Sequence, residues 1–110
     1  MMIMTLHIEV RPNKRDEVWQ TLRTFLRPIQ ARPGFIGCHC YQDIERESHL
    51  LLMEQWRSEA DLYGRIRSED FKAVLALMDL SEAPPEFRIH TISDSQEMEA
   101  LATIRGQELA

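Results

Sequence analysis

Hydrophobic and polar positions alternate with a period of two from the start of the chain. Met2, Met4, Leu6, Ile8 and Val10 fall on one side, and Ile3, Thr5, His7 and Glu9 on the other. The pattern predicts a strand from Met2 to Val10 with one apolar and one mixed face. We expect the mixed face, which carries His7, to look toward the helices and any internal cavity. Pro12-Asn13 breaks the strand, and Asn13 with Asp16 three residues later has the form of a helix N-cap. The period then becomes helical, through Val18, Leu22, Phe25, Leu26 and Ile29, with Trp19 beside the stripe. Pro28 lacks a backbone donor and should end or kink that helix near Leu26.

Pro33-Gly34 supplies a turn into a second strand, Phe35 to Gln42. Asp43 to Ser48 is a charged, solvated connection. The third strand, His49 to Trp56, is nearly continuous apolar sequence, as expected for a strand covered on both faces. Ser58, with Asp61 three residues on, caps a second helix carrying Ala60, Leu62, Tyr63 and Ile66. Ser68 is expected to cap a short helix with Phe71, Val74, Leu75 and Met78. After a loop over Ser81–Pro85, Phe87 to Ile92 alternates as a fourth strand. Asp94-Ser95 opens a last helical segment with Met98, Leu101, Ala102 and Arg105 along one side.

This order predicts an α+β domain over residues 1–94: a ferredoxin-like β-α-β-β-α-β unit with a four-stranded antiparallel sheet. Strands one and four should be neighbours. Residues 95–110 form a helical tail that packs on a neighbour or another subunit, fraying beyond Gly106. Two helices cover one face of such a sheet, yet strand one has a wholly apolar side and strand three reads as apolar on both. The surface left bare would be large and hydrophobic, so a homodimer is expected, sheet against sheet.

Composition narrows the function. The 110 residues suit a single domain, and the net charge of −5 comes with scattered Lys and Arg rather than a basic stripe, which argues against nucleic acid. The apolar runs are too short to cross a membrane. The first residues lack the basic region and cleavage site of a signal peptide, so a cytoplasmic address is expected. Cys38 and Cys40, two apart on an extended strand, are poorly placed for a disulfide and read as two reduced, half-buried thiols. No phosphate-binding loop, nucleophile elbow or dinucleotide fingerprint is present, which argues against a conventional NAD, flavin or nucleotide enzyme.

The residues from Pro33 to Phe71 carry a likeness to a known family. Pro33-Gly34-Phe35-Ile36-Gly37, Glu54-Gln55-Trp56, Glu59, Leu62 and Ser68-x-x-Phe71 resemble the antibiotic-biosynthesis-monooxygenase family of dimeric α+β barrels. The resemblance spans about Leu6 to Ser93. It implies one of three activities: cofactor-free oxygenation of phenols, quinols or polyketide aromatics, haem degradation, or no catalysis. The haem-degrading members use an Asn, a Trp and a His at positions that hold His7, Arg65 and Leu75 here, so that arrangement is disfavoured. Many other members carry His where this chain has Arg65.

Candidate chemistry centres on His7, whose imidazole can accept a phenolic proton near neutral pH. Arg65, on the second helix, could turn toward the same cavity and stabilise a phenolate, or could be solvated or paired along its helix. Tyr63, Trp56 and His90 are candidate substrate-binding residues, although Tyr63 also suits the core and Trp56 a core or interface anchor. His39 and Tyr41 share a face of strand two. His7 and His90 could approach each other, but with Glu54 they lack diagnostic spacing for a metal, and none is expected. The expectation is therefore a cofactor-independent monooxygenase of a small aromatic, with His7 as base and Arg65 as anion partner. The alternative is a non-catalytic dimeric module that binds a small ligand or scaffolds a partner.

Overall fold

The computed structural model describes residues 1–106. The expected fraying after Gly106 falls at 107–110, outside the described residues. Four strands, β1 (Met2–Glu9), β2 (Phe35–Gln42), β3 (His49–Trp56) and β4 (Glu86–Thr91), form one antiparallel sheet in the order β2-β3-β1-β4. Helices α1 (Arg15–Arg23), α2 (Glu59–Arg67) and α3 (Lys72–Asp79) follow the ferredoxin-like order, and α4 (Met98–Arg105) comes after it. Strands β1 and β4 are indeed neighbours.

The helices choose the face opposite to the one expected. The row buried beneath them is Met2, Met4, Leu6, Ile8 and Val10, together with Leu50, Leu52, Glu54 and Trp56 of β3. Val18, Leu22, Phe25, Ile29, Leu62, Phe71, Val74 and Leu77 pack onto that row to make the core. The physical reason is simple: an apolar helix stripe gains most on the fully apolar bed, whereas covering the mixed face would desolvate His7 and Glu9. The mixed face therefore lies open. It carries Ile3, Thr5, His7 and Glu9 beside His49, Leu51, Met53 and Gln55, all half-buried, with exposed His39 and Tyr41 on β2. The bare surface is thus less apolar than expected from the methionine row.

Several local expectations also shift. Asn13 sits inside a 3-10 turn at Pro12–Lys14 and caps nothing; α1 starts without a side-chain cap. Helix α1 stops at Arg23, and a second 3-10 turn, Pro28–Ala31, carries Ile29 into the core. Ser68 donates to the Arg65 carbonyl oxygen at 2.7 Å, closing α2 rather than capping α3. Ser58 does cap α2, accepting from the Asp61 backbone N–H at 3.2 Å while its hydroxyl donates to the Asp61 carboxylate at 2.8 Å. Gly34 has φ +76°, and a Cβ there would run into that same Asp61 carboxylate. The Gly34 carbonyl accepts from Arg57 at 2.8 Å, so the turn into β2 is fastened to the start of α2.

Helix α4 stands apart. None of its residues is buried, and Met98, Leu101 and Ile104 are exposed. The radius of gyration, 16.5 Å, exceeds the about 13 Å typical of a chain this long, as an outlying segment requires.

Candidate functional site

Inside the helix-covered half, alternation along β3 puts Glu54 between Leu52 and Trp56 in the buried row. Helical spacing puts Arg65 three residues after buried Leu62. Both charges are fully buried and meet as a fork: Arg65 Nε donates to Glu54 Oε1 at 3.2 Å and Nη2 to Oε2 at 3.1 Å. Trp56 Nε1 adds a third donor to Oε1 at 3.1 Å. The guanidinium lies against the rings of Phe25 and Phe71, 5.1 and 5.5 Å from their centroids, and its Nη1 has no partner. Burial pushes the neighbouring Cys38 thiol up to about 12, with the Glu54 charge adding to the effect. Cys40 is raised by burial too, and both cysteines are free. Such thiols stay protonated and weakly nucleophilic.

On the open face, the β1–β3 register sets His49 opposite Glu9, two residues from the Leu51 that faces His7. The two imidazoles meet diagonally: His7 Nε2 lies 3.2 Å from His49 Nδ1, with ring centroids 5.1 Å apart. His49 Nε2 lies 3.7 Å from Glu9 Oε1. The two imidazoles border a recess of about 250 Å³ whose walls also include Leu51, Tyr41 and Asp43. The Glu45 backbone N–H, donating to Asp43 at 2.8 Å, holds that carboxyl below its usual range, and His49 contributes. The His39 ring lies 5.9 Å from that of Tyr41.

The structure therefore distributes the expected site residues rather than joining them. Arg65 and Trp56 come together through Glu54 in the interior. His7 lies on the other side of the sheet, so the shared cavity expected for His7 and Arg65 does not form. Tyr63 lines a separate surface hollow with Glu59, Ala60 and Arg67; the Glu59 carboxylate raises its phenol, and Arg67 lies 5.8 Å from its ring. His90 pairs with Ile3, four residues along β1 from His7, about 13 Å away at the usual strand rise. Glu86 is the β4 residue across from His7, so the two histidines do not approach as expected. Glu54, weighed as a metal ligand with them, faces Arg65 instead. Among the described residues, no three His, Cys, Asp or Glu side chains converge to hold a metal ion.

Sequence reasoning missed His49 and Glu9 as partners of His7. The signal was present: Glu9 stands next to the end of the expected first strand, His49 begins the third, and antiparallel pairing can bring such ends together. It missed the Glu54–Arg65 pair as well, although two opposite charges at core positions signal one another.

The sheet order, its helical layer and its open, polar-lined face define a ferredoxin-like α+β protein of the monooxygenase-fold type. The chain belongs to the antibiotic biosynthesis monooxygenase family, whose model matches residues 1–77. It is 31% identical over 91 residues to an uncharacterized protein of Synechocystis, covering 82% of this chain and 62% of that relative's length. A conserved protein from Methanosarcina mazei superimposes with a TM-score of 0.74 at 24% identity, over 81% of this chain and 89% of the other. SnoaB of Streptomyces nogalater, described as a cofactor-independent oxygenase, superimposes at 0.72 with 14% identity, over 86% and 94%. These two likenesses concern the fold. Among the described residues no helix is long and apolar enough to cross a membrane.

Proposed function

We propose that this chain is a cofactor-independent monooxygenase of a small, electron-rich aromatic, a phenol or quinol, and that it works as a homodimer. The observation that carries the reading is the His7 imidazole, backed at 3.2 Å by His49 on the edge of a recess beside Tyr41. Family membership supports the reaction class.

His7 acts as the base that removes the phenolic proton. The resulting anion is electron-rich at ring carbon and reacts with dioxygen there. One oxygen atom stays on the ring as a carbonyl and the other leaves as water. A phenol with a free para C–H plus dioxygen thus becomes a para-quinone plus water, with all the electrons coming from the substrate. Arg65 enters this reading as the residue that holds the Glu54 carboxylate, which in turn accepts from Trp56, because its charge is already matched and sealed in the core. Trp56, Tyr63 and His90 lie away from the recess, which leaves Tyr41 and Leu51 as its substrate-facing walls.

Oxygen uptake over a panel of phenols and quinols tests the proposal. The expected result is turnover that falls about a hundredfold or more in His7→Ala. Equal rates in the two proteins would remove His7 as base. One observation favours a second reading, a non-catalytic ligand-binding or scaffold module of the same fold. Arg65, the cation that would steady a substrate anion, is sealed in the interior as a neutralised ion pair with Glu54. Binding of aromatics in the recess with no oxygen consumed would support that reading.

A further inference from the structure

The contacts around His7 also specify which of its nitrogens is free. We infer that Glu9 and His49 are positioning residues that fix His7 as its Nε2–H tautomer, presenting bare Nδ1 as the proton acceptor for an uncharged phenol or quinol. Only the substrate class rests on the function proposed above; the tautomer order stands on geometry.

Ionised Glu9 has acceptors and no donor, and it faces His49 Nε2 at 3.7 Å. A proton on that nitrogen is attracted to the carboxylate, whereas a lone pair there would face negative charge. Neutral His49 therefore carries its hydrogen on Nε2, which leaves Nδ1 bare and able only to accept. The 3.2 Å contact between His49 Nδ1 and His7 Nε2 then requires His7 to donate. Neutral His7 is left with its lone pair on Nδ1, which has no hydrogen-bond partner among the described residues. The opposite order would place two acceptors against each other at Glu9.

This order serves proton transfer. The substrate O–H bond breaks, an N–H bond forms at His7 Nδ1, and no electron changes hands in that step. The imidazolium so formed donates from Nε2 to His49, whose far side rests on Glu9. The proton can pass to His49 Nδ1, leaving the positive charge beside the Glu9 carboxylate. Other charged groups near this face are Asp43 and Arg46 from the β2–β3 connection and, from β4, Glu86 opposite His7 and Arg88 opposite Thr5, the last two 3.8 Å apart as an ion pair. Glu86 is matched by Arg88, so the Asp43 carboxylate at the recess and the Glu9 carboxylate behind His49 are what favour a neutral aromatic over a carboxylated one.

The test is nitrogen NMR on the full chain labelled in its histidine rings, in mildly alkaline buffer. The expected spectrum shows protonated Nε2 and bare Nδ1 for both His7 and His49. In E9Q and H49F, the His7 signals should move toward a mixture of tautomers; two variants are used so that a folding failure in one leaves the other to decide. His7 protonated at Nδ1 in the wild type, or an unchanged His7 tautomer in a folded variant, would overturn the inference. If turnover is found, E9Q should lower kcat about tenfold with KM little changed. A hydroquinone should also bind at least tenfold tighter than its carboxylated analogue, and equal binding would overturn the assigned substrate class. Complete absence of turnover removes the proposed activity, while the NMR result still decides the tautomer order.

Discussion

At the scale of single residues, the fork between Glu54 and Arg65 is the feature with the largest energetic consequence. Removing one member leaves the other charged, buried and unpaired, which costs about 3–5 kcal/mol. We therefore expect Arg65→Ala to lose about that much stability in urea denaturation. Replacing both residues by leucine should restore only part of it, since an apolar pair needs no desolvated charge but leaves the buried Trp56 Nε1–H without its acceptor. A single-variant loss under about 1 kcal/mol would mean that the pair is wetter than its burial implies. Cys38 gives a second expectation. Its folded-state pKa is raised from 9.0 to about 12, so its contribution to stability is intact below about 9 and declines as pH climbs toward 12. In neutral buffer a thiol reagent should modify Cys38 slowly in the native protein and quickly in urea. The two half-buried thiols were legible from spacing alone. The ion pair was not legible, because spacing along the chain relates Arg65 to its own helix and not to the strand beneath it.

At the scale of elements, period and punctuation carried the reading well where the chemistry was local. The bounds of β2 and β3 and the Ser58 cap of α2 match their sequence signals, because each depends on residues within a few positions. The start of α1 and the role of Ser68 did not, because 3-10 turns at Pro12–Lys14 and Glu69–Phe71 intervene between strand or helix and the next cap. Alternation showed which residues of β1 share a face, and the helices take the wholly apolar one, continued by the buried row of β3. That choice decided the fate of the candidate site, placing His7 and Arg65 on opposite sides of the sheet. The Pro33-Gly34 turn offers a direct check. Alanine at Gly34 combines a positive φ with a clash against Asp61, so Gly34→Ala should cost more than the about 1 kcal/mol of the backbone effect alone. Ser58→Ala, which removes the cap but no backbone freedom, should cost about 1 kcal/mol. A thermal-melting comparison that ranked Ser58→Ala as the more damaging change would show that the Asp61 carboxylate moves aside freely.

At the scale of the whole molecule, the open face asks for a cover. Its half-buried Ile3, Leu51 and Met53 lie among His7, Thr5 and Gln55, a mixture more typical of a subunit interface than of a solvent face. A stable interface takes about 800 Å² from each partner, roughly a tenth of the 7763 Å² that one chain exposes, and a four-stranded face is of that order. A second copy, sheet to sheet, would enclose both His7 recesses between the subunits and exclude water from them. Helix α4 is outside this argument: it buries none of its residues, so a chain ending at Asp94 should fold with a stability within about 0.5 kcal/mol of the full one. Sedimentation should show a dimer at micromolar concentration. Met53→Glu, which sets a new charge amid that face, should yield a folded monomer. If recess and interface are one structure, this monomer should also lose oxygen uptake, although Met53 is not among the recess-lining residues. A Met53→Glu protein that sediments as a monomer and still consumes oxygen at the wild-type rate would separate catalysis from assembly, and would place the working site within a single subunit.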